Sequence, residues 1–218
     1  MFKDRHQAGV QLATKLVDYE GCPDCIVFAI PRGGVVVAAE VARRLDLPLD
    51  LIVTKKIGAP FNLELAIGSV DPAGTINVDQ DLCTQLNVSQ AYLQTAAQNT
   101  LAQVRQQLEK YRKTAHYQDL SKITALIVDD GIATGQTVTA AINFVKSLNA
   151  QHIIVATPVI SPSILSRLSK LVKEIRYLLC QQHFLAVGQF YQDFSPVDDN
   201  QVTTIMADFE NQLGPDPH

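Results

Sequence analysis

Residues 125–148 constrain the fold of this chain more tightly than any other stretch. Ala125-Leu126-Ile127-Val128 is a continuous aliphatic run, which suits a parallel strand covered on both faces. Two carboxylates, Asp129 and Asp130, follow it directly. Gly131-Ile132-Ala133-Thr134-Gly135-Gln136-Thr137 then supplies a short loop of small and hydroxyl-bearing residues. Beyond it Val138, Ala141, Ile142, Val145 and Leu148 recur at helical spacing. A strand that turns sharply into a helix presents backbone N–H groups at the helix N-terminus, where unpaired donors and the helix dipole favour an anion. Gly131 and Gly135 permit tight turning, and Thr134 and Thr137 add hydroxyl donors. The loop is suited to a phosphate monoester, with the acidic pair at its rim placed for a polyol or a hydrated metal ion.

The same alternation runs through much of the chain. Ile26–Ile30, Leu51–Thr54, Ile153–Ala156 and Ile175–Leu179 are short apolar runs that predict buried strands. Helical spacing predicts helices over about Arg5–Tyr19, through Val37, Val41 and Leu45 up to Pro48, and from Ser163 to Leu171. Strands alternating with helices imply an α/β fold with a mostly parallel central sheet flanked by helices. Glu64–Val70 and Thr75–Val78 predict a hairpin around Asp71-Pro72-Ala73-Gly74. Ser89 caps a long inserted helix with Leu93, Ala97, Leu101, Val104, Leu108 and Tyr111 on one stripe, ending among Arg112 and Lys113. That helix is either an accessory or dimer-forming element, or packs one face on the core. The 218 residues fit a single domain over 1–218, with accessory elements near 59–115 and 182–211.

Hydrophobic residues at 47% against 18% charged predict a packed core rather than extensive disorder. The net charge of −4 argues against a general nucleic-acid binder. No apolar run reaches membrane-spanning length, and Met1–His6 lacks the apolar centre of a signal peptide, so a cytoplasmic protein is expected. Cys22 and Cys25 form a lone Cys-x-x-Cys that precedes a strand, the wrong context for a thioredoxin-like pair, and two free thiols are the plain expectation.

Ligands of open α/β sheets bind outside the carboxyl ends of the strands, which places Arg32, Lys56 and Asp129 at one edge. Pro31-Arg32-Gly33-Gly34 repeats the logic of strand, glycine turn and helix start, and an adjacent guanidinium suits a diphosphate. Lys55 and Lys56 end an apolar run; alternate side chains point to opposite faces, so one of the two, Lys56, is expected to face the ligand. Phe184–Phe194 carries four aromatic residues, of which Phe190 or Tyr191 offers a platform for a heterocycle. Other phosphate loops fit less well. A Walker A loop needs Lys where Gln136 stands, and a dinucleotide loop needs Gly-x-Gly-x-x-Gly.

Ile127-Val128, Asp129-Asp130 and Thr134-Gly135-Gln136-Thr137 resemble the phosphoribosyl-diphosphate motif of the type I phosphoribosyltransferases. The resemblance covers nearly the full chain and implies that family's fold, with a small hood near residues 182–211. It implies transfer of 5-phosphoribose from its 1-diphosphate to a nitrogen acceptor, a nucleobase in nucleotide metabolism, with release of pyrophosphate. Asp129 and Asp130 would be the catalytic carboxylates, and residues Gly131 to Thr137 would hold the ribose 5-phosphate. Arg32, Gly33, Gly34 and Lys56 would hold the pyrophosphate. Phe190 or Tyr191 would stack on the base, as in the hood of hypoxanthine-type members. Mg²⁺ would be held by the donor together with Asp129 and Asp130, without a dedicated cage. A homodimer is compatible with the family.

The departures from the family pattern are informative. Ala133 stands where hypoxanthine-type members have an Asp, as in adenine-type members. The segment Gly58 to Gly68 sits where the family's mobile catalytic loop lies, and it contains Asn62 and Glu64 but no Lys or Arg. The sequence is similar to a branch of the family with no established acceptor. A ligand-sensing module of the same fold without turnover, or a hydrolase of the same donor, stands as the alternative.

Overall fold

A computed structural model describes residues 1–112 and 116–209, apart from the side chain of Glu64. In chain order the elements are α1 (Arg5–Ala13), β1 (Cys25–Ala29), α2 (Gly33–Leu45), β2 (Leu49–Leu51), β3 (Lys55–Ala59), β4 (Asn62–Val70), β5 (Ile76–Val78), α3 (Gln80–Gln85) and α4 (Gln90–Tyr111). They continue as β6 (Thr124–Val128), α5 (Gln136–Ser147), β7 (His152–Ile160), α6 (Pro162–Leu168), β8 (Glu174–Cys180) and α7 (Asp199–Phe209). Short 3-10 turns occupy Val17–Tyr19 and Val187–Phe190. No helix among the described residues is long and apolar enough to cross a membrane.

Five strands form a parallel sheet in the order β2-β1-β6-β7-β8. Its strands are apolar at almost every position because both faces are covered. On one face Val27, Leu126 and Ile154 pack with Leu12 of α1, Val37 and Val41 of α2 and Met206 of α7. On the other, Phe28, Ile127 and Val155 pack with Ile142 and Phe144 of α5 and Leu168 of α6. Strand order runs outward in opposite directions from β1 and β6. The crevice between their carboxyl ends is therefore the switch point where such sheets bind ligands.

The segment between β2 and β6 is an insertion with its own antiparallel sheet, β3-β4-β5. Helix α4 begins at Ser89, whose hydroxyl accepts the Tyr92 N–H. Its N-terminal half closes this small sheet through Ala97, Leu93 and Leu101, while Val104, Leu108 and Tyr111 reach the main core. One helix thus ties the two sheets together, and both readings of its apolar stripe contain part of the truth. The tie is fastened by a buried ion pair. Arg112, just past α4, donates from Nε and Nη2 to the Asp50 carboxylate of β2 at 2.7 and 2.8 Å and stacks 3.8 Å from the Tyr117 ring centre.

Several boundaries differ from those expected of the sequence. The N-terminal helix stops at Ala13, and the chain tightens into the 3-10 turn before Tyr19. The apolar run Leu51–Thr54 is a strand only to Leu51. Pairing to β1 goes one bond further, from the Ile52 N–H to the Ala29 carbonyl, before the chain leaves the main sheet, while Asp50 accepts the Leu51 N–H and anchors Arg112. Lys55 and Lys56 consequently open β3 of the inserted sheet instead of ending a parallel strand. Residues 58–68, placed by resemblance at a mobile loop, form much of the β3–β4 hairpin. Lys113, where the long helix was expected to end, lies outside the described residues, as do 210 and 211 at the end of the accessory segment. Cys22 and Cys25 form a disulfide, their Cα atoms 5.4 Å apart, instead of two free thiols. A turn in which Cys25 N–H donates to the Cys22 carbonyl brings them together.

Removing one member of a buried ion pair leaves the other charge desolvated and unanswered, at a cost of about 3–5 kcal/mol. Arg112→Met is expected to lower stability by about that amount in chemical denaturation.

Candidate active site

The loops after β1 and β6 lie side by side at the switch point. Ile30 N–H donates to the Val128 carbonyl at 3.0 Å, which carries the strand pairing one step past the sheet. Asp129 N–H donates to Ala156, and Ile132 N–H donates to Val159 at 2.9 Å. Ile132 is buried in the α5-side core, so within the loop its side chain is an anchor. The Pro31–Arg32 peptide is cis. Gly33 and Gly34 open α2 against the acidic pair. A Cβ on Gly33 would sit 2.0 Å from Asp130 Oδ2, and one on Gly34 would sit 3.0 Å from Asp129 Oδ1. These two glycines are required by the close approach of the carboxylates.

The carboxylates are shielded from solvent. Asp130 Oδ2 accepts from Arg5 Nε at 2.7 Å, and both side chains are nearly buried. The backbone carbonyl of Asp130 accepts the Tyr191 hydroxyl at 2.6 Å. Asp129 Oδ1 accepts the Asp130 N–H at 2.9 Å. Desolvation raises both carboxyls above the ordinary aspartate value. The rise is larger for Asp129, where the charge of Asp130 adds to it, whereas the Arg5 guanidinium opposes it at Asp130.

Beyond the pair, Gly135 takes φ +69° and caps α5 with no side-chain hydrogen bond, so the first-turn amides face outward. Ala133, Thr134, Gln136 and Thr137 are exposed, while Gly131, Ile132 and Gly135 are buried. Arg167 of α6 donates to the Thr134 carbonyl and braces the loop from outside. A cleft of about 790 Å³ runs from Thr134, Gln136, Thr137 and Arg167 across to Lys55 and Lys56 of the inserted sheet. Thr54 Oγ1 and Asn77 Nδ2, of two further lining residues, are buried polar atoms with no partner among the described residues. The surface is rich in donors and in positive charge, which suits an anionic, hydroxylated ligand.

The residues expected from the sequence thus fall into two groups. Asp129, Asp130, Gly33 and Gly34 meet at the switch point, and Lys56 shares the cleft with Thr134, Gln136 and Thr137. Arg32 is half exposed, with Nη1 3.5 Å from Asp199 Oδ1 at the start of α7. Lys110 and Tyr111 also donate to Asp199, and these bonds lower its carboxyl to about 2. Tyr191 is buried between the rings of Phe2 and Phe194. It offers no open face to a base, because its ring completes a small core and its hydroxyl holds the Asp130 backbone. Phe190 is half-buried beside Phe184, ring centres 5.0 Å apart, and Val187 packs on Gly131.

Arg5, Arg167 and Asp199 were missed by sequence reasoning. Arg5 left one physical trace. It stands at the first position of α1, where the helix dipole disfavours a cation. A cation held there calls for an anion elsewhere in the fold.

The raised carboxyl of Asp129 has a sign that can be checked. An acid whose folded-state pKa is raised favours the folded state below that pKa, and the advantage is lost as pH rises through it. Without divalent ions, Asp129→Asn is expected to equal or exceed the parent chain in melting temperature at pH 7, with the gap closing toward pH 4. A lower melting temperature for the variant at pH 7 would contradict the desolvated site.

With the geometry in hand, the comparisons with known proteins are specific. The family model described as "Phosphoribosyl transferase domain" matches residues 3–195. Two Mycobacterium tuberculosis proteins, from strains CDC 1551 / Oshkosh and ATCC 25618 / H37Rv and each named "Putative phosphoribosyl transferase", are 34% identical over 206 residues. The match covers 94% of this chain and 46% of each relative, so the chain spans about half the length of these relatives. The crystal structure of TT1426 from Thermus thermophilus superimposes with a TM-score of 0.80 at 36% identity, covering 95% of this chain and 98% of that one. The chain belongs to the phosphoribosyl transferase domain family.

Proposed function

We propose that the chain transfers 5-phosphoribose from 5-phosphoribosyl 1-diphosphate to a nitrogen acceptor and releases pyrophosphate. The observation that carries this reading is the acidic pair at the end of β6 beside the open N-terminus of α5, with two lysines across the adjoining cleft. Breaking the bond from the anomeric carbon to diphosphate develops positive charge on the ribose ring, by analogy with glycoside cleavage. The first-turn amides of α5 with Thr134 and Thr137 would hold the 5-phosphate, so a remote group orients the reacting carbon. Asp129 and Asp130 would hold the ribose hydroxyls. Arg32, the Gly33 and Gly34 amides and Lys56 would meet the negative charge that builds on the departing diphosphate. Phe190 is the remaining candidate for stacking on a base.

The donor set also fits Mg²⁺. Two adjacent carboxylates offer hard oxygen ligands, and the desolvation that raises Asp129 would be offset by a nearby cation. Bound there by Asp129, Asp130 and the donor's oxygens, Mg²⁺ would neutralise charge on the diphosphate.

A second reading has specific support. Arg32 faces Asp199 and Asp130 is held by Arg5, and residues 58–68 are a paired hairpin without Lys or Arg. These features suit a ligand-sensing module that binds the donor without turnover.

The deciding experiment is pyrophosphate release from the donor with Mg²⁺ across a panel of nucleobases. Release dependent on one base is the expected result. Base-independent release would make the chain a hydrolase, and donor binding without release would make it a sensor. Thr134→Ala is expected to weaken donor binding about tenfold, the scale of a hydrogen bond to a charged group; unaltered affinity in calorimetry would remove the phosphate cradle. Asp129→Asn and Asp130→Asn are expected to abolish release with the fold intact, and wild-type turnover by either would exclude the role given to that carboxylate.

A further inference from the structure

We infer that Arg5 is a positioning residue of the candidate site, and that the acidic pair divides its labour: Arg5 holds Asp130 in one orientation toward the ligand, while Asp129 meets it without such a support. The inference rests on the donor reading above. Arg5 is 8% exposed, and the Nε, the Nη1 and one face of its guanidinium each have a neighbour. Nε donates to Asp130 Oδ2 at 2.7 Å, Nη1 donates to the Ser195 carbonyl at 2.9 Å, and the plane lies 3.7 Å from the centre of the Phe194 ring. A guanidinium seated this way has little freedom, and the carboxylate it holds has little more.

The loop after β1 is built around the same ion pair. The Cβ that Gly33 lacks would strike Asp130 Oδ2 and come within 2.9 Å of Arg5 Nε. The start of α2 therefore leaves no room for a side chain beside the Arg5–Asp130 pair. Among the described residues Asp129 has no such partner; its Oδ1 accepts the neighbouring amide.

Arg5 also belongs to a unit larger than α1. Phe2 N–H donates to the Phe190 carbonyl, Gln192 N–H to Phe2, and Asp193 N–H to Lys3, at 2.8 to 2.9 Å. The first residues of the chain are thus stitched alongside the segment 190–195, which also supplies Phe194, the Ser195 carbonyl and the Tyr191 hydroxyl on Asp130. Asp130 is gripped by the segment around Phe2–Arg5 and by residues 190–195 together. The plain rival is a buried salt bridge that merely tethers α1 to the fold.

Calorimetry with two ligands separates these accounts: 5-phosphoribosyl 1-diphosphate, which carries the ribose, and inorganic pyrophosphate, which lacks it. Arg5→Met is expected to weaken donor binding about tenfold, the scale of a charged hydrogen bond, and to alter pyrophosphate binding by less than about twofold. Arg5→Lys is expected to recover part of the donor affinity. In an Asp130→Asn background Arg5→Met is expected to cause no further loss, because the two act as a unit. Equal weakening for both ligands, unaltered donor affinity, or additive losses would each overturn the role of Arg5. Should Arg5→Met fail to fold, Arg5→Lys is read against wild type with the same two ligands, and wild-type affinity for both overturns the role. A wild-type chain that does not bind the donor removes the donor reading itself, and the inference with it.

Discussion

Two adjacent carboxylates withdrawn from water are costly unless their surroundings answer the charge. At the end of β6 the Arg5 guanidinium answers Asp130 and the Asp130 amide answers Asp129. The Tyr191 hydroxyl holds the Asp130 backbone, and the two glycines that open α2 leave room for the carboxylates. The main sheet explains where they converge, since β1 and β6 are neighbours and their chains depart in opposite directions. The position of α1, the tight start of α2 and the closure of the 190–195 segment all follow from satisfying this one desolvated pair.

The insertion serves the other side of the site. The chain leaves β2 at Leu51 and returns through α4, and the Asp50–Arg112 pair fixes both crossings. This places Lys55 and Lys56 on a second sheet that faces the start of α5 across the cleft. The loop from Gly131 to Thr137 belongs to the main sheet and the facing lysines to the insertion, so the cleft lies between two sheets that α4 ties together. Arg112 secures that tie on Asp50 of the main sheet.

The sequence made the main sheet legible because its apolar runs are continuous and its helices strongly periodic. The loop from Asp129 to Thr137 was equally plain, since small, acidic and hydroxyl residues in that order have few structural uses. Residues 51–56 were less readable. An apolar run cannot show where strand pairing stops within it, and so Lys55 and Lys56 were given the wrong strand. Tyr191 was misread for a related reason, because an aromatic ring looks the same in a sequence whether it faces a ligand or fills a core. The contacts of Arg5 and Asp199 join residues far apart in the chain, which no local pattern encodes, whereas α7 is written locally in the helical spacing of Val202, Ile205, Met206 and Phe209 and went unread.

The stitching of Phe2 to the 190–195 segment has a consequence for the order in which the molecule is made. The carbonyl that accepts from Arg5, Ser195, lies 190 residues further along the chain and is synthesised that much later. Chains emerging from the ribosome can pair β1 with β6 long before the aromatic seat for the guanidinium exists. Until then Asp130 lacks the guanidinium seat that fixes it, and that seat is synthesised only after all five strands of the main sheet. A nascent chain can therefore hold its sheet before its candidate site is braced.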